Sequence, residues 1–328
     1  MANRYGIHDA KIVITGGAGF IGTRLAHELV EDSEIVLFDN LHNNAYRTSG
    51  LDGFPNVRLV QGDVRDLDAV RRAMDPDVEY VIHCAAIAGV DTVIGDPMRV
   101  LEVNVKGTFN VAEAALGLKK LKKFVDFSTS EVFGQHAYNV DEFEINPTVT
   151  IGEARWTYAM SKLIGEFVIH AHHIQNKMPT VTVRPFNIYG PNQVGVGAIH
   201  HFVKRVVQGE NLVIHDDGSQ IRAWCYVDDF IHGVLLAMAS EKATGRSYNI
   251  GNPRSTVTVY NLARMVIALG GSSSRIAYKR MNYSDVGLRI PNISAAREDL
   301  GFEPVVDLEE GLAKTIAWYR EQAKLQAS

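Results

Sequence analysis

Short, almost wholly apolar runs alternate with helical patterns through the first part of the chain, and this alternation limits the fold more than any other feature. The apolar runs are KIVIT at 11–15, EIVLFD at 34–39, VRLV at 57–60, YVIH at 80–83, KFVDFS at 123–128 and TVTVR at 180–184. The helical patterns between them lie at about 20–31, 66–74, 97–118 and 157–176. Strands that helices cover on both faces are apolar throughout. Right-handed crossovers between such strands predict an α/β fold with a doubly wound parallel sheet.

The pattern becomes less regular after residue 185. The sequence there predicts a helix at 198–209, short strands near 212–215 and 221–227, and helices near 228–239, 258–269 and 308–324. We therefore expect a main domain over residues 1–185 and a smaller C-terminal region over residues 186–328. Some segments between 221 and 250 are expected to return to the main sheet.

The composition argues against several classes of function. The chain has 328 residues, 46% of them hydrophobic, so it is long enough to bury a large core. Its net charge of -5 gives no basic excess, which argues against nucleic acid or a membrane surface as the main partner. Cys84 and Cys225 have no metal-ligand spacing, so we expect no metal site and a reducing compartment. With no signal pattern and no long apolar run, the sequence predicts a cytoplasmic protein.

Three glycines, Gly16, Gly19 and Gly22, follow the first predicted strand and open the first helix. Glycine permits a tight turn and close backbone approach to a pyrophosphate, which the N–H groups of the helix N-terminus also bind. Asp39 ends the second strand 17 residues after Gly22, where a carboxylate bonds the adenosine ribose and repels a 2′-phosphate. The pattern predicts a Rossmann domain that binds NAD rather than NADP. The alternatives are a plain strand-to-helix turn and an Asp that only ends a strand.

The segment WTYAMSK places Tyr158 and Lys162 four residues apart in a predicted helix. Residues i and i+4 share a helix face, so we expect the Lys162 ammonium beside the Tyr158 phenol, where it favours the ionised form. Lowering a phenol pKa by roughly three units needs about 4 kcal/mol, which a close cation and a positive nicotinamide ring together would supply. The spacing alone is common on solvated helix faces, so its meaning depends on the other motifs.

These and further motifs occur in the order found in extended short-chain dehydrogenase/reductases. They are TGGAGFIG at 15–22, HCAA at 83–86, Asn104, STSEVFG at 128–134, YxxxK at 158–162 and RPFNIYGP at 184–191. Three later segments resemble C-terminal motifs of the same family. They are GSQIRAWCYVDD at 218–229, YNIGNP at 248–253 and LGFEPVVDLEEGL at 300–312. The chain is thus similar, over nearly its whole length, to the NAD-dependent nucleotide-sugar epimerases, dehydratases and decarboxylases. The resemblance implies a lyase or isomerase that oxidises its sugar at carbon 4 with tightly held NAD.

The resemblance also implies functions for individual residues. Tyr158 would be the base at the carbon-4 hydroxyl, Thr129 would hydrogen-bond the same hydroxyl, and Lys162 would bind the nicotinamide ribose. The residues expected to contact NAD are Gly16, Gly19, Phe20, Ile21, Gly22, Asp39, Asn40, Asp63, Val64, Ala85, Ala86, Ala88, Asn104, Ser128, Tyr158, Lys162 and Pro185. The residues expected to contact the nucleotide sugar in the C-terminal substrate-binding region and around it are Ser130, Arg155, Asn187, Arg222 and Arg289.

Glu131 and Arg155 bear on the reaction that follows the oxidation. In this family the sequence Thr-Ser-Glu, which ends here at Glu131, is the pattern of decarboxylases and some 4,6-dehydratases, where a carboxylate near carbon 5 or 6 acts as general acid or base. Arg155, just before Trp156, resembles an arginine of the UDP-glucuronate decarboxylases, and a guanidinium there would pair with a sugar carboxylate. The alternatives are a solvated or structurally paired Glu131 and a surface ion pair at Arg155.

Two other segments depart from the decarboxylase pattern. Pro191-Asn192 replaces a Pro-Arg pair, and Ala88-Gly89-Val90 is closer to the epimerases. We expect decarboxylation of a UDP-glucuronate-type substrate, with a 4-epimerase or a 4,6-dehydratase as the alternatives and a non-catalytic dinucleotide sensor as a remote one. The helices at 97–118 and 157–176 resemble those that form a four-helix interface in this family, so we also expect a homodimer.

Overall fold

The computed structural model describes residues 5–145, 152–281, 283 and 285–327. Its strands are β1 (Ala10–Thr15), β2 (Ser33–Asp39), β3 (Val57–Gln61), β4 (Tyr80–His83), β5 (Lys123–Phe127), β6 (His136–Val140), β7 (Thr180–Pro185), β8 (Ile188–Tyr189), β9 (Leu212–His215), β10 (Ile221–Ala223), β11 (Cys225–Tyr226), β12 (Arg246–Ile250), β13 (Thr256–Thr258), β14 (Ile276–Lys279) and β15 (Leu288–Pro291). The α-helices are α1 (Phe20–Leu29), α2 (Leu67–Ala73), α3 (Val90–Gly95), α4 (Pro97–Leu101), α5 (Gly107–Leu116), α6 (Thr157–Asn176), α7 (Ala198–Val207), α8 (Val227–Ala239), α9 (Val259–Leu269), α10 (Ser294–Leu300) and α11 (Leu308–Ala327).

The main sheet has seven parallel strands in the order β12-β7-β5-β4-β1-β2-β3. The chain builds outward from β1 to β3 and then crosses to β4 on the other side of β1, so the strand order reverses between β1 and β4. The carboxyl ends of the strands at such a reversal form the crevice in which open α/β sheets bind ligands. The predicted doubly wound parallel sheet is confirmed, and β12 brings part of the C-terminal region back into it.

The two faces of this sheet carry separate apolar cores. Val13 and Phe124 lie on the face that packs against α2, α5 and α6. Ile14 and Val125 lie on the opposite face, in the larger core that includes α1 and α8. Neighbouring residues of a strand point to opposite faces, so every core strand needs apolar side chains at consecutive positions. This is why the strands could be read from the sequence as unbroken apolar runs.

The helix predicted at 97–118 is divided in the structure. The α4 helix is followed by a π-helical turn, Glu102–Lys106, and then by α5, which ends at Leu116. The π turn contains Asn104, whose buried side chain points at the loop after β4. Turns of this type inside helices are frequent near functional sites. No helix within the described ranges is long and apolar enough to cross a bilayer.

A smaller, mixed sheet in the order β13-β10-β15-β6 stands beside the carboxyl ends of the main strands. Three of its strands, β6, β13 and β15, were not predicted from the sequence. Parallel pairing of β10 with β15 puts Arg222 directly opposite Arg289. The pairing therefore brings together two arginines that are far apart in the chain and that were expected to contact the same ligand.

Candidate active site

A cavity of about 860 Å³ lies between the carboxyl ends of the main strands and the smaller sheet. Its walls come from both parts of the chain, which were expected to hold the cofactor and the substrate respectively. The sequence-predicted residues that line the cavity are Phe20, Ile21, Ala86, Ala88, Ser128, Thr129, Ser130, Glu131, Arg155, Tyr158, Lys162, Pro185, Asn187, Arg222 and Arg289. The fold thus gathers all four expected catalytic residues and all five expected substrate contacts around one space.

Tyr158 lies in the first turn of α6, and its phenol is hydrogen-bonded to the Thr129 hydroxyl. Burial, and next the Glu131 carboxylate, raise the pKa of Tyr158 to about 12, while Thr129 and Arg289 act in the lowering direction. The Lys162 ammonium acts instead on the side chains beneath it, Asp126 among them. The structure therefore does not bear out the expected lowering of the Tyr158 pKa by Lys162. Burial is the larger effect, because a phenolate without solvent costs more than a neutral phenol.

The end of β5 is anchored to α6 by a buried polar group that the sequence analysis missed. The Ser128 hydroxyl donates to the Glu166 carboxylate, and Arg184 donates to the same carboxylate at 2.9 and 2.7 Å. Arg184 also donates to the backbone carbonyl of Glu142 at 2.7 Å. A bidentate arginine with this many partners leaves Glu166 little freedom. The anchor fixes the strand end that carries Thr129 against the helix that carries the reactive tyrosine.

A cluster of buried charges occupies the wall beside Tyr158. Arg155 donates to Glu131 at 3.0 Å, and Arg289 lies 3.5 Å from the other oxygen of the same carboxylate. Asp285 lies 3.6 Å from Arg155 and 3.4 Å from Arg222. Three guanidinium groups thus share two carboxylates. The Arg155 side chain is only 3% exposed, so the alternative of a surface ion pair is wrong for this residue.

Some guanidinium N–H groups of this cluster have no acceptor among the described residues. Nε of Arg155 and both Nε and Nη2 of Arg289 are buried and have no hydrogen-bond partner among the residues that the structure describes. Burial, and next the neighbouring Arg289, lower the pKa of Arg222 to about 10, so this guanidinium stays protonated at neutral pH. Buried donors without partners are costly, and an anionic ligand with several oxygens would satisfy them. The arrangement is therefore suited to bind an anion such as a carboxylate or a diphosphate.

The glycine turn is packed so tightly against neighbouring backbone that two of its positions have no room for a side chain. Gly16 has φ +69°, and a Cβ there would lie 2.7 Å from the backbone nitrogen of Ala85. A Cβ at Gly22 would lie 2.6 Å from the carbonyl oxygen of Gly16. Gly19 is the N-cap of α1, and no side chain caps that helix. The first N–H groups of α1 are thus left to a ligand, as in dinucleotide sites.

Asp39 is fixed at the carboxyl end of β2. Its two oxygens accept hydrogen bonds from the backbone N–H groups of Ala18 at 3.1 Å and Leu41 at 2.7 Å. Burial raises the pKa of Asp39, and the two backbone donors act against that rise. The carboxylate is therefore held rigidly next to the glycine turn, at the position from which it would bond a ribose.

The description of a known family fits this chain. The model of the NAD dependent epimerase/dehydratase family matches residues 12–251, which is more than half of the sequence. The protein belongs to this family. The UDP-N-acetyl-alpha-D-glucosaminuronate decarboxylase of Bacillus cytotoxicus is 32% identical over 322 residues, which cover 95% of this chain and 98% of that protein.

Solved structures of the epimerase/dehydratase family share the whole fold. An epimerase from Methanothermobacter thermautotrophicus superposes with a TM-score of 0.91 at 27% identity, covering 99% of this chain and 96% of that one. The UDP-glucuronic acid 4-epimerase of Bacillus cereus, solved with UDP-glucuronic acid and NAD, gives a TM-score of 0.85 at 28% identity, covering 95% and 99%. The similarity to both decarboxylases and epimerases means that the family alone does not fix the reaction.

NAD is the cofactor of this epimerase/dehydratase family member, and the residues at the glycine turn fit it. A Cβ at Gly16 or Gly22 would collide with neighbouring backbone, so glycine at both positions lets the turn close tightly and present the N-terminus of α1 to a pyrophosphate. Asp39 would receive the adenosine ribose hydroxyls and would repel a 2′-phosphate, which favours NAD over NADP. The expected NAD cofactor is thus confirmed, while the individual contacts remain predictions.

Some of the predicted cofactor contacts lie near the glycine turn without lining the large cavity. Asp63 is ion-paired with Arg65 at 2.8 Å, which lowers the pKa of Asp63, and Val64 is buried beside it. Asn40 is exposed after β2 and accepts from the His42 backbone N–H at 3.0 Å.

Asn104 has a structural use in this epimerase/dehydratase fold. Its amide accepts from the Ile87 backbone N–H at 2.8 Å and donates to the Ile87 carbonyl at 3.0 Å. It also donates to the Ser161 hydroxyl at 3.0 Å. Asn104 therefore holds the loop that carries Ala85, Ala86 and Ala88 against α6, so its predicted contact with the cofactor would act at least in part through this loop.

No metal site is indicated. Within the described residues there is no group of three or more His, Cys, Asp and Glu side chains that would hold an ion. His83 uses both ring nitrogens, one with Thr15 at 2.7 Å and one with Thr108 at 3.0 Å. Burial, and next the charge of Lys162, lower its pKa to about 3, so His83 is neutral and structural.

Asp126 is a buried carboxyl group whose charge should affect stability. Burial raises its pKa to about 6, against a usual value near 4 in an unfolded chain. The native state therefore binds this proton more tightly than the unfolded state. The stability that this provides is complete below about pH 4 and is lost as the pH rises through about 6.

Asp126→Asn is therefore expected to stabilise the protein at pH 8 relative to the wild type, by roughly 3 kcal/mol at most, and much less at pH 4.5. Urea unfolding at both pH values measures the difference. Asp52→Asn makes the same substitution at an exposed site and is the matched control. An equal effect of Asp126→Asn at both pH values would contradict the assigned cause.

Proposed function

We propose that this protein is a nucleotide-sugar-modifying enzyme that oxidises its sugar at carbon 4 and then decarboxylates it, with a UDP-glucuronate-type substrate. The observation that carries the proposal is the arginine cluster beside Tyr158, in which three cations face only two carboxylates. A nucleotide uronate brings a diphosphate and a sugar carboxylate, and arginine binds both in bidentate fashion. The similarity to a decarboxylase of Bacillus cytotoxicus that acts on a nucleotide uronate supports the same substrate class.

The first step would be carried by Tyr158 and Thr129. Tyr158 takes the proton of the carbon-4 hydroxyl while Thr129, which is bonded to the same phenol, orients that hydroxyl. NAD, when bound, supplies the acceptor for the hydrogen on carbon 4. Lys162 would bind the nicotinamide ribose and keep it in place. The result is a ketone at carbon 4.

The second step would follow from this ketone. A carboxyl group at carbon 5 is then a β-keto acid, so the bond to the carboxyl carbon breaks, carbon dioxide leaves and the electron pair moves toward the carbon-4 oxygen. Carbon 5 must then receive a proton, and the ketone must be reduced again. Glu131 acts on the Tyr158 phenol electrostatically and lines the same cavity, so we assign its carboxylate to relay this proton, which solvent supplies, to carbon 5.

Product masses test the proposal directly. The purified protein is incubated with UDP-glucuronate, UDP-N-acetylglucosaminuronate and, as the neutral comparison, UDP-glucose. We expect loss of carbon dioxide from at least one uronate and no such loss from UDP-glucose. A product of unchanged mass that is inverted at carbon 4 would overturn decarboxylation.

A 4-epimerase is the second candidate. The segment Ala88-Gly89-Val90 lines the cavity and favours it, because this segment is closer to the epimerases in sequence. An epimerase needs the same oxidation at Tyr158 but no loss of carbon. In the mass experiment, loss of water would instead indicate a 4,6-dehydratase. If the protein binds NAD but converts none of these substrates, the non-catalytic dinucleotide sensor becomes the favoured hypothesis.

We also propose a cytoplasmic homodimer. Free thiols at Cys84 and Cys225 suit a reducing compartment. Large apolar side chains are exposed along α5 and α6, which were expected to form the interface. They are Phe109, Leu116, Ile164, Phe167 and Ile174. Apolar side chains this close together on two neighbouring helices are typical of an interface with a second copy.

Phe167→Glu is expected to convert the dimer to a monomer, because it places a charge in the proposed apolar contact, where the side chain is 69% exposed in the single chain. Light scattering coupled to gel filtration measures the mass. Val305→Glu makes the same kind of change at another exposed site and should leave the mass unchanged. A wild-type monomer at micromolar concentration would contradict the proposal.

A further inference from the structure

The strap, residues 192–197, lies between β8 and α7 and contacts the loop that follows β2. Among the described residues, both hydrogen bonds that join the strap to this loop use the side chain of Asn192. Its amide nitrogen donates to the Ala45 carbonyl at 3.0 Å, and its oxygen accepts from the Thr48 hydroxyl at 2.5 Å. The attachment of the strap to this loop therefore depends on a single side chain that donates and accepts at once.

The strap also meets the loop that follows β4. A Cβ at Gly89 would lie 2.6 Å from Cγ1 of Val196, so the glycine makes room for the strap. Gly89 has φ +97°, which residues with a side chain rarely adopt. Because β1 lies between β4 and β2 in the main sheet, the glycine turn after β1 lies between these two loops. A segment that contacts both loops therefore crosses the crevice at the glycine turn.

The loop after β2 is itself bonded to the glycine turn. The backbone N–H groups of Ala45 and Tyr46 both donate to the Ala18 carbonyl, at 2.8 and 3.2 Å. The Ala18 N–H donates in turn to the Asp39 carboxylate at 3.1 Å. Hydrogen bonds thus connect the strap, through Ala45, to the groups expected to hold the pyrophosphate and the adenosine ribose.

The base of the strap is held by the C-terminal region. The Tyr319 hydroxyl, on α11, donates to the Gln193 carbonyl at 2.7 Å, and the Gln193 amide donates to the Val196 carbonyl at 3.1 Å. Val196 and Gly197 line the large cavity, as does Phe20 at the start of α1. The strap is therefore fixed at one end and forms part of the cavity wall, while Asn192 fastens it to the cofactor side.

We propose that Asn192 is a latch that holds the strap across the cofactor crevice, so that NAD enters and leaves only when the latch opens. The strap also accounts for both departures from the decarboxylase pattern, because Pro191-Asn192 supplies the latch and Gly89 makes room for the strap. An arginine at position 192 would have no acceptor for the Thr48 hydroxyl. The proposal rests on NAD at the glycine turn and on no particular reaction at the sugar.

The exchange of bound NAD tests the latch without any substrate. The protein is loaded with NAD that is radiolabelled in the adenine ring, and release is followed after addition of excess unlabelled NAD. We expect Asn192→Gly to release the label roughly 10-fold faster than the wild type, because two hydrogen bonds are lost. Thr48→Val removes one of them and should speed release roughly 3-fold. Thr48 is exposed, so this variant still decides if Asn192→Gly does not fold.

Asn139→Gly is the matched control. Both asparagines have a left-handed backbone, with φ +64° at Asn192 and +50° at Asn139, so glycine adds no strain at either position. Asn139 lies on β6, in the smaller sheet, and its replacement should leave the release of NAD unchanged. An unchanged rate in both latch variants, or an equal change in Asn139→Gly, overturns the proposal.

The association rate distinguishes a latch from a direct contact with the cofactor. Opening of a latch is needed for entry as well as for exit, so we expect Asn192→Gly to raise the association rate together with the release rate. The Kd for NAD should then change much less than either rate. A Kd that rises in full proportion to the release rate, with an unchanged association rate, would make Asn192 an ordinary binding contact and overturn the latch.

Discussion

Tyr158→Phe is expected to lower turnover roughly 10³-fold, or about 4 kcal/mol in activation free energy, while the protein still folds and holds NAD. The variant removes the hydroxyl that would take the carbon-4 proton. It also removes the partner of Thr129, so the substrate hydroxyl loses both its base and its orientation. No other phenol among the described residues is hydrogen-bonded to Thr129, and the nearby Glu131 carboxylate is engaged with arginines.

Product formation from the substrate identified by mass measures the loss, and circular dichroism checks the fold. Tyr80→Phe is the matched control, since it removes a hydroxyl at the amino end of β4, away from the cavity. Turnover within tenfold of the wild type in Tyr158→Phe would mean that another group takes the proton. In that case Tyr158, with a pKa of about 12, would stay protonated throughout the reaction.

Because the pKa of Tyr158 is raised, other groups in the site must lower it before Tyr158 can act as a base. A phenol of pKa about 12 is a weak acid, and the catalytic base must lose its proton near neutral pH. Arg289 and Thr129 act in the right direction, and Glu131 acts against them. The additional positive charge of a bound nicotinamide ring and the charge of Lys162 are the remaining sources.

The main sheet could be predicted from the sequence because its strands are covered on both faces. Apolar residues at consecutive positions make such strands visible without any partner, as in β1 and β4. The smaller sheet has no such signal. The β6 strand has exposed residues at most positions and pairs only with β15, some 150 residues later. Its existence depends on a long-range pairing that no local pattern contains.

The same distinction holds for the site. Tyr158, Lys162 and the glycines could be predicted because each motif is local, with its spacing set by one helix or one turn. Asp285 was missed because nothing in its sequence neighbours indicates that it would meet Arg155 and Arg222. Asp126 was missed because a single acid in an apolar strand has no spacing to recognise.

Glu131→Gln is expected to separate the oxidation from the step that follows it. The amide cannot exchange a proton with carbon 5, so we expect the bound cofactor to become reduced on addition of substrate while product formation falls roughly 10²–10³-fold. Glutamine can still accept a hydrogen bond from Arg155, so the fold should survive, whereas Glu131→Ala would leave two buried guanidinium groups without this partner. The absorbance of the reduced nicotinamide and the product mass measure the two steps.

The same variant should change the pH dependence of the oxidation. The Glu131 carboxylate raises the pKa of Tyr158, so removal of its charge lowers that pKa and moves the acidic limb of the cofactor reduction to lower pH. Asp285→Asn is the matched control, because it removes the other carboxylate bound to Arg155 but is not among the groups that shift the Tyr158 pKa. A higher KM with unchanged kcat in Glu131→Gln would show instead that Glu131 only supports the arginines. Decarboxylation would then need a different proton donor at carbon 5.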